Sequence, residues 1–157
     1  MLNTDPYTTE SDLSVMDGFM QLSFLAQAIL GRTGAEHDLS IIQIRLLGIL
    51  RDREPSMAQL ARHLGLDKSS ITGLVDRAER RGLVERTTSS TDRRGYNVRV
   101  TAAGWQIIRA VGDEIERQIN AVFARLTEVE RAQFAALATK ILDASSPGSS
   151  PPDESER

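Results

Sequence analysis

The sequence contains no cysteine, which removes disulfides, thiolate metal sites and thiol redox switches from consideration. Histidine is almost absent too: His37 and His63 are the only two, and neither lies in a cluster with metal-ligand spacing, so no metal site is expected. Aromatic residues make up only 4% of the chain, so the core has to come from Leu, Ile, Val and Ala, a mix that favours helices. No apolar run reaches the roughly 18–20 residues that cross a bilayer. The most apolar stretch, 39–50, is interrupted by Gln43 and Arg45. Met1 to Pro6 carry neither a basic start nor an apolar run, which argues against a secretory leader and predicts a cytoplasmic protein without a membrane partner.

The chemistry of catalysis is missing as well. There is no glycine-rich phosphate loop, no nucleophile elbow and no carboxylate pair with a reason to meet. The Ser and Thr clusters have no histidine to serve as base. The sequence therefore predicts a protein that is not an enzyme and needs no cofactor.

Positive charge is short overall, with a net of −3 over 157 residues, but its distribution is uneven. Between Arg51 and Arg99 there are 11 Lys+Arg against 7 Asp+Glu, leaving 8 basic and 15 acidic residues for the rest. A basic middle between acidic flanks steers an anionic partner locally, whatever the total charge.

Hydrophobic spacing supplies the elements. Val15, Phe19, Leu22, Ala26 and Ile29 recur at helical intervals and predict a helix to about Gly31, with Gly34 in the turn that follows. Residues 39–51 read as a second, mostly apolar and buried helix. Ser56-Met57-Ala58-Gln59 is a capping box that starts a short helix, ended by Gly65. Asp67 caps a fourth helix whose inward face is Ile71, Leu74, Val75 and Ala78, closed by Arg80-Arg81-Gly82. Two strands follow at 83–88 and 96–101, with Val98 and Val100 alternating against Asn97 and Arg99. A long helix from near Thr101 carries the stripe Ile108, Val111, Ile115, Ile119, Val122 and Leu126, and Trp105 near its start reads as core. Thr127 to Glu130 form another capping box, opening a last helix with Phe134, Leu137 and Ile141. The Ser/Pro/Gly-rich, acidic segment from Ser145 and the polar first dozen residues predict disorder.

The pair 56–64 and 68–81, joined at Gly65-Leu66-Asp67, fits a helix-turn-helix. If Ile71, Leu74, Val75 and Ala78 face inward, Ser69, Thr72, Gly73, Asp76 and Arg80 lie opposite, flanked by Lys68, Ser70 and Arg77. Small polar residues at its N-terminal end let such a helix enter a DNA major groove, and its hydroxyls suit base edges or phosphates. By itself that face could equally be an ordinary solvated one. The hairpin tip Asp92-Arg93-Arg94 tips the balance, because a narrow minor groove attracts inserted arginine.

The run LARHLGLDKSSITGLVDRAERRGLVERTTSSTDRRGYNVRVTAAG resembles the core of the MarR family of bacterial regulators. The likeness lies in LDKSSITGLVDRAERRGLVER, in the DRR of TDRRGYNVRVT and in T-x-x-G at Thr101–Gly104, with flanking helices matching in number and order over about 12–144. It implies a mainly α fold with a small antiparallel β-hairpin wing, in which a winged helix-turn-helix lobe (38–101) is joined to dimerisation helices (13–37 and 102–144). Residues 1–12 and 145–157 fall outside that organisation. It further implies a homodimer on a pseudo-palindromic site in double-stranded DNA, probing the minor groove with Arg94 oriented by Asp92, and with Arg77 as the recognition-helix arginine. Many members release DNA on binding small aromatic or anionic ligands. His37, Arg45 and Arg51 are the candidate ligand residues, and His63 reads as a surface or phosphate-adjacent residue. The missing cysteine excludes thiol-type peroxide sensing, and the missing histidine set speaks against zinc sensing. The alternative is a winged-helix protein-interaction module without DNA binding.

Overall fold

The computed structural model describes residues 13–90 and 94–145. Of the expected loose termini at 1–12 and 145–157, all but Ser145 lie outside the described residues, as do Asp92 and Arg93 at the hairpin tip. The elements run α1 (Val15–Glu36), α2 (Ile41–Leu50), α3 (Met57–Leu64), α4 (Lys68–Arg80), β1 (Val84–Thr88), β2 (Tyr96–Val100), α5 (Ala102–Phe123) and α6 (Glu128–Ser145). The chain divides into two compact units, Met1–Glu116 and Arg117–Arg157, with the boundary inside α5.

Helix starts in the first unit follow one chemical rule. Ser14, Ser40, Ser56 and Asp67 each place a side-chain oxygen on a backbone N–H three residues on. Ser40 and Ser56 form full capping boxes, in which Gln43 and Gln59 accept in turn from the cap backbone at 2.9 Å. These bonds satisfy donors that the first helical turn leaves without partners. Gly65, at φ 65°, lets α3 end and the chain turn into α4.

The core of this unit is aliphatic, as the scarcity of aromatics requires. Leu46, Leu47 and Leu50 of α2, Leu60 and Leu64 of α3, and all four expected inward residues of α4 are buried. Val84 and Val98 of the hairpin and Val111 of α5 complete the cluster. β1 and β2 pair antiparallel, with Val84 opposite Val100 and Arg86 opposite Val98. A single bridge from Ser56 to Asn97, with the Val98 N–H donating to the Pro55 carbonyl at 3.0 Å, fastens the entry to α3 against β2.

The strand-to-α5 junction depends on Thr101 and Gly104. Thr101 Oγ1 donates to the Gly82 carbonyl at 2.5 Å and accepts from the Gly104 N–H at 3.0 Å. A Cβ at Gly104 would collide with the Leu83 carbonyl and sit 2.8 Å from Val100 Cγ1, so only glycine allows this approach.

In the second unit Thr127 and Glu130 close their expected box, with the Thr127 N–H donating to Glu130 Oε2 at 2.8 Å. Phe123 and Phe134 meet edge to face with ring centroids 5.0 Å apart. No residue of α6 is buried, and Phe134, Leu137, Ile141 and Leu142 are all exposed.

Several expectations need correction. Gly34 is helical and buried rather than in a turn, because α1 continues to Glu36 and a Cβ there would strike the Leu39 carbonyl. The turn is made instead by Asp38, at φ 53°. The second helix starts at Ile41, since Ser40 is its cap. β1 starts at Val84, because the Leu83 N–H still closes α4 on the Ala78 carbonyl. α5 stops at Phe123, which leaves Leu126 in the turn before the Thr127 cap, and its stripe fades from buried Val111 to exposed Ile119 and Val122. Ser145 is still helical, and Trp105 is half-buried rather than core. The α1 stripe is mostly uncovered: Ile29 is buried, whereas Val15 is 92% and Phe19 65% exposed. Among the described residues no helix is long and apolar enough to cross a membrane.

Candidate nucleic-acid interface

The exposed part of α4 is built around its cap. Asp67 accepts from the Ser70 N–H at 2.8 Å and from the Ser69 and Ser70 hydroxyls at 3.1 Å each. The Ser70 amide bond, followed by the two hydroxyls, holds the Asp67 carboxyl below its ordinary pKa. The positive end of α4 therefore already carries a carboxylate, so an incoming phosphate has to be met by side chains rather than by the Ser70 amide.

Lys68, Ser69, Ser70, Thr72, Arg77 and Arg80 are exposed along α4, and Gly73 is half-buried. Thr72 Oγ1 donates to the Lys68 carbonyl at 2.7 Å, which commits its proton and leaves its lone pairs and methyl group outward. Arg77 folds back along the helix, its Nη1 only 3.3 Å from where a Cβ at Gly73 would lie. A side chain at position 73 would thus displace that arginine.

Asp76 departs from the outward set. It is half-buried and held by Arg86 of β1 at 2.5 Å, while Arg86 also pairs with Glu79. The backbone N–H of Arg86 donates to Glu79 Oε1 at 3.1 Å as well. Sequence reasoning missed Arg86 and Glu79. The only available signal was two carboxylates three residues apart on one helix, with an arginine in the strand that follows.

Across the hairpin, the Ser89 N–H donates to the Gly95 carbonyl at 3.1 Å and closes the loop base, and Arg94 stands exposed beside it. Between α3, the start of α4 and the hairpin lies a groove of about 740 Å³. Lys68 and Thr72 line one side of it and Arg94 and Tyr96 another, with Arg62 of α3 adding a cation not anticipated from the sequence. The Thr72 hydroxyl and cations from three elements thus converge on one concave face, whereas Ser69, Ser70, Gly73 and Arg77 line a second, smaller cavity beside Ile42 of α2.

The three candidate ligand residues lie on or next to α1 and α2. His37 caps the C-terminus of α1 and Arg45 is exposed on α2, while Arg51 just beyond α2 pairs with neighbouring Asp52 at 3.0 Å. Two cavities lie along α4, and none of the three residues lines either of them.

Known proteins place this architecture. A family model described as MarR family matches residues 37–95. A putative transcriptional regulatory protein for the hcr operon of Thauera aromatica is 35% identical over 86 residues, 55% of this chain, and the match spans only 52% of that protein. The HTH-type transcriptional repressor NicR of Pseudomonas putida is 31% identical over 118 residues, 74% of each chain. A crystal structure of MarR superposes with a TM-score of 0.74 at 25% identity, covering 87% of this chain and 94% of that one. The Staphylococcus aureus MepR–DNA complex superposes at 0.71 with 20% identity, over 85% and 99%. The family model falls on α2, α3, α4 and β1 and stops just before β2, while the repressor and the MarR structure extend the match to 74% and 87% of the chain. The chain therefore belongs to the MarR family of winged helix-turn-helix transcriptional regulators.

Proposed function

We propose that the chain is a homodimeric repressor that reads a pseudo-palindromic operator and leaves it when a small aromatic or anionic ligand binds. The observation that carries this reading is the groove described above, where Lys68 and Thr72 of α4 and Arg62 of α3 stand beside Arg94 of the wing. In this reading α4 enters the major groove, with Ser69, Thr72 and Gly73 toward base edges and Lys68, Ser70, Arg77 and Arg80 toward phosphates and flanking bases. Arg94 enters the adjacent minor groove, with Arg93 and Asp92 at the same tip. Asp76 contributes from behind, through Arg86.

Dimerisation is supported by the apolar surface each unit leaves uncovered. α1 exposes Met16, Phe19, Leu22 and Phe24, and α6 exposes Phe134, Leu137, Ile141 and Leu142. Obligate dimers bury about 2,000–5,000 Å² of such surface. Residues 13–37 and 102–144 are assigned to dimerisation and 38–101 to DNA. Two lobes related by a two-fold axis read half-sites about one helical turn, roughly 34–36 Å, apart. A ligand binding where α1, α2 and the start of α5 support the lobe releases DNA only by favouring a wrongly spaced state. Arg45, exposed and free of the pairing that occupies Arg51, is the better partner for an anionic group.

Fluorescence anisotropy with DNA from upstream of the chain's own coding region tests the reading. Nanomolar, salt-sensitive binding of two protomers per site supports it, and aromatic carboxylates or phenols should then raise the apparent Kd. A folded monomer that shows no preference for that DNA over random duplex would overturn it and favour a protein-interaction module.

A further inference from the structure

We infer that Arg81, which lies outside the proposed DNA-contacting set, is a positioning residue: it fixes the angle of α4 against α1, and thereby the half-site spacing that the dimer accepts. The inference rests on the two-fold operator reading above.

Arg81 is the C-cap of α4. Its charge is not spent on the carbonyls that end its own helix. Nη1 donates to the Asp38 carbonyl at 2.5 Å and Nη2 to the His37 carbonyl at 3.0 Å, contacts that reach 43 and 44 residues back along the chain. Both acceptors sit at the C-terminal end of α1, where the final carbonyls lack helical partners and the dipole is negative. A planar guanidinium grasping two successive carbonyls restrains direction as well as distance, which a rotatable ammonium does not.

Both ends of this link are stiff. On the α1 side, the His37 and Leu39 N–H groups both donate to the Gly34 carbonyl, at 3.0 and 2.8 Å, and the turn passes through Asp38 at positive φ. A Cβ at Gly34 would strike the Leu39 carbonyl, so turn and helix are packed without slack. On the α4 side, Gly82 at φ 69° and the Leu83 N–H bonded to the Ala78 carbonyl fix where Arg81 stands. Arg81 therefore joins two rigid bodies rather than two loops.

The leverage is large for so exposed a contact. α4 has 13 residues and is about 20 Å long at 1.5 Å per residue. A tilt of about 10° pivoting at Arg81 moves the groove-facing N-terminal end by about 3 Å, close to the rise of one base pair. Losing the contact leaves the aliphatic core intact but frees that angle.

The test compares wild type, Arg81→Ala and Arg81→Lys on three operators: the natural one and versions with one base pair inserted or removed at the centre. Kd is measured at several salt concentrations, with melting temperatures alongside. The wild type should prefer the natural spacing. Arg81→Ala should stay folded and dimeric, yet its ratio of affinities between natural and altered spacings should shrink at least about threefold, with an unchanged salt slope. Arg81→Lys keeps the charge and should not restore the full preference. Wild-type discrimination in Arg81→Ala overturns the inference. So does a salt slope lowered by about one, which marks a phosphate contact instead. If Arg81→Ala unfolds, Arg81→Lys decides by the same two readouts. A wild type that binds no operator as a dimer brings down the operator reading itself, an outcome visible before any variant is compared.

Discussion

Arg86 of β1 and Asp76 of α4 meet at 2.5 Å, and the same guanidinium also pairs with Glu79, so one side chain bolts the wing to the helix proposed to read DNA. Burial alone would lower the pKa of Arg86, but Asp76 and Glu79 together outweigh it and hold the group above its ordinary value. Arg86→Met should leave two neighbouring carboxylates without their cation. Asp76 is 48% and Glu79 39% exposed, so water screens part of that cost. A loss of about 1–2 kcal/mol is expected, between surface and buried pairs. Urea unfolding checks it, and a double-mutant cycle with Asp76→Asn should return a coupling of at least about 0.5 kcal/mol. Equal stability of Arg86→Met and wild type would remove the bolt.

Arg94 stands at the exposed edge of the groove, away from the core. Arg94→Ala should weaken operator binding by about 1–3 kcal/mol while changing folding stability by no more than about 0.5 kcal/mol. A variant that melts earlier yet binds operator normally would show that the wing serves the fold and not the DNA.

What the sequence revealed was mostly local. Ser56 with Gln59, Thr127 with Glu130, and Asp67 before a polar turn announced three helix starts, because the capping partner lies three residues away. Ile71, Leu74, Val75 and Ala78 announced a buried face because one helix supplies the whole pattern. What escaped notice depends on partners far along the chain. Arg81 looked like a charge closing its own helix, yet it binds carbonyls more than 40 residues earlier. Asp76 shares a helical face with Thr72, but the wing returns over that part of α4 and Arg86 captures it. Gly34 read as part of a turn because glycine so often is, whereas here it is helical and admits the close approach of the Leu39 carbonyl. Ala124, Arg125 and Leu126 are good helix formers, so nothing local marks the end of α5; the cap of the next helix decides it.

Two glycines of opposite character test the packing. Gly104→Ala should cost about 1–3 kcal/mol, because the Leu83 carbonyl cannot withdraw without breaking its bond from the Thr101 N–H at 3.1 Å. Gly48 is helical with nothing near its would-be Cβ, so Gly48→Ala should stabilise by about 0.4–1 kcal/mol. Thermal denaturation of both variants checks the pair, and similar shifts in one direction would contradict it.

Acid should loosen the helix starts. Asp67 is held below its usual pKa first by the Ser70 amide, and Glu130 by the Thr127 amide. Both values lie lower in the folded than in the unfolded chain, so the unfolded state takes up protons first as pH falls. The stabilisation is therefore complete above the unfolded carboxylate range and fades as pH drops through the lowered folded values, below about pH 5. Asp67→Asn and Glu130→Gln keep the caps without titrating. The combined variant should lose less stability between pH 5 and pH 3, in urea midpoints, than wild type does. Asp52, lowered by Arg51, still titrates in both, so the dependence flattens without vanishing. Parallel profiles for the two proteins would assign acid sensitivity to other groups.

Thr72 separates base reading from phosphate holding. Its hydroxyl proton is committed to the Lys68 carbonyl, so toward a groove it offers an acceptor and a methyl group but no donor. It can therefore accept from an adenine or cytosine amino group or touch a thymine methyl, and it cannot donate to guanine. Thr72→Ala should relax preference at one position per half-site by about 1–3 kcal/mol, with the salt slope unchanged. Lys68→Ala should do the opposite, weakening all sequences alike and lowering the slope by about one. Thr72→Val keeps the methyl and Thr72→Ser keeps the acceptor, so whichever variant retains the preference names the contact. Selection from a randomised operator library reads all four variants at once. Full wild-type discrimination by Thr72→Ala would mean that α4 meets the bases through another face, and the proposed groups around Ser69 and Gly73 would have to be reassigned with it.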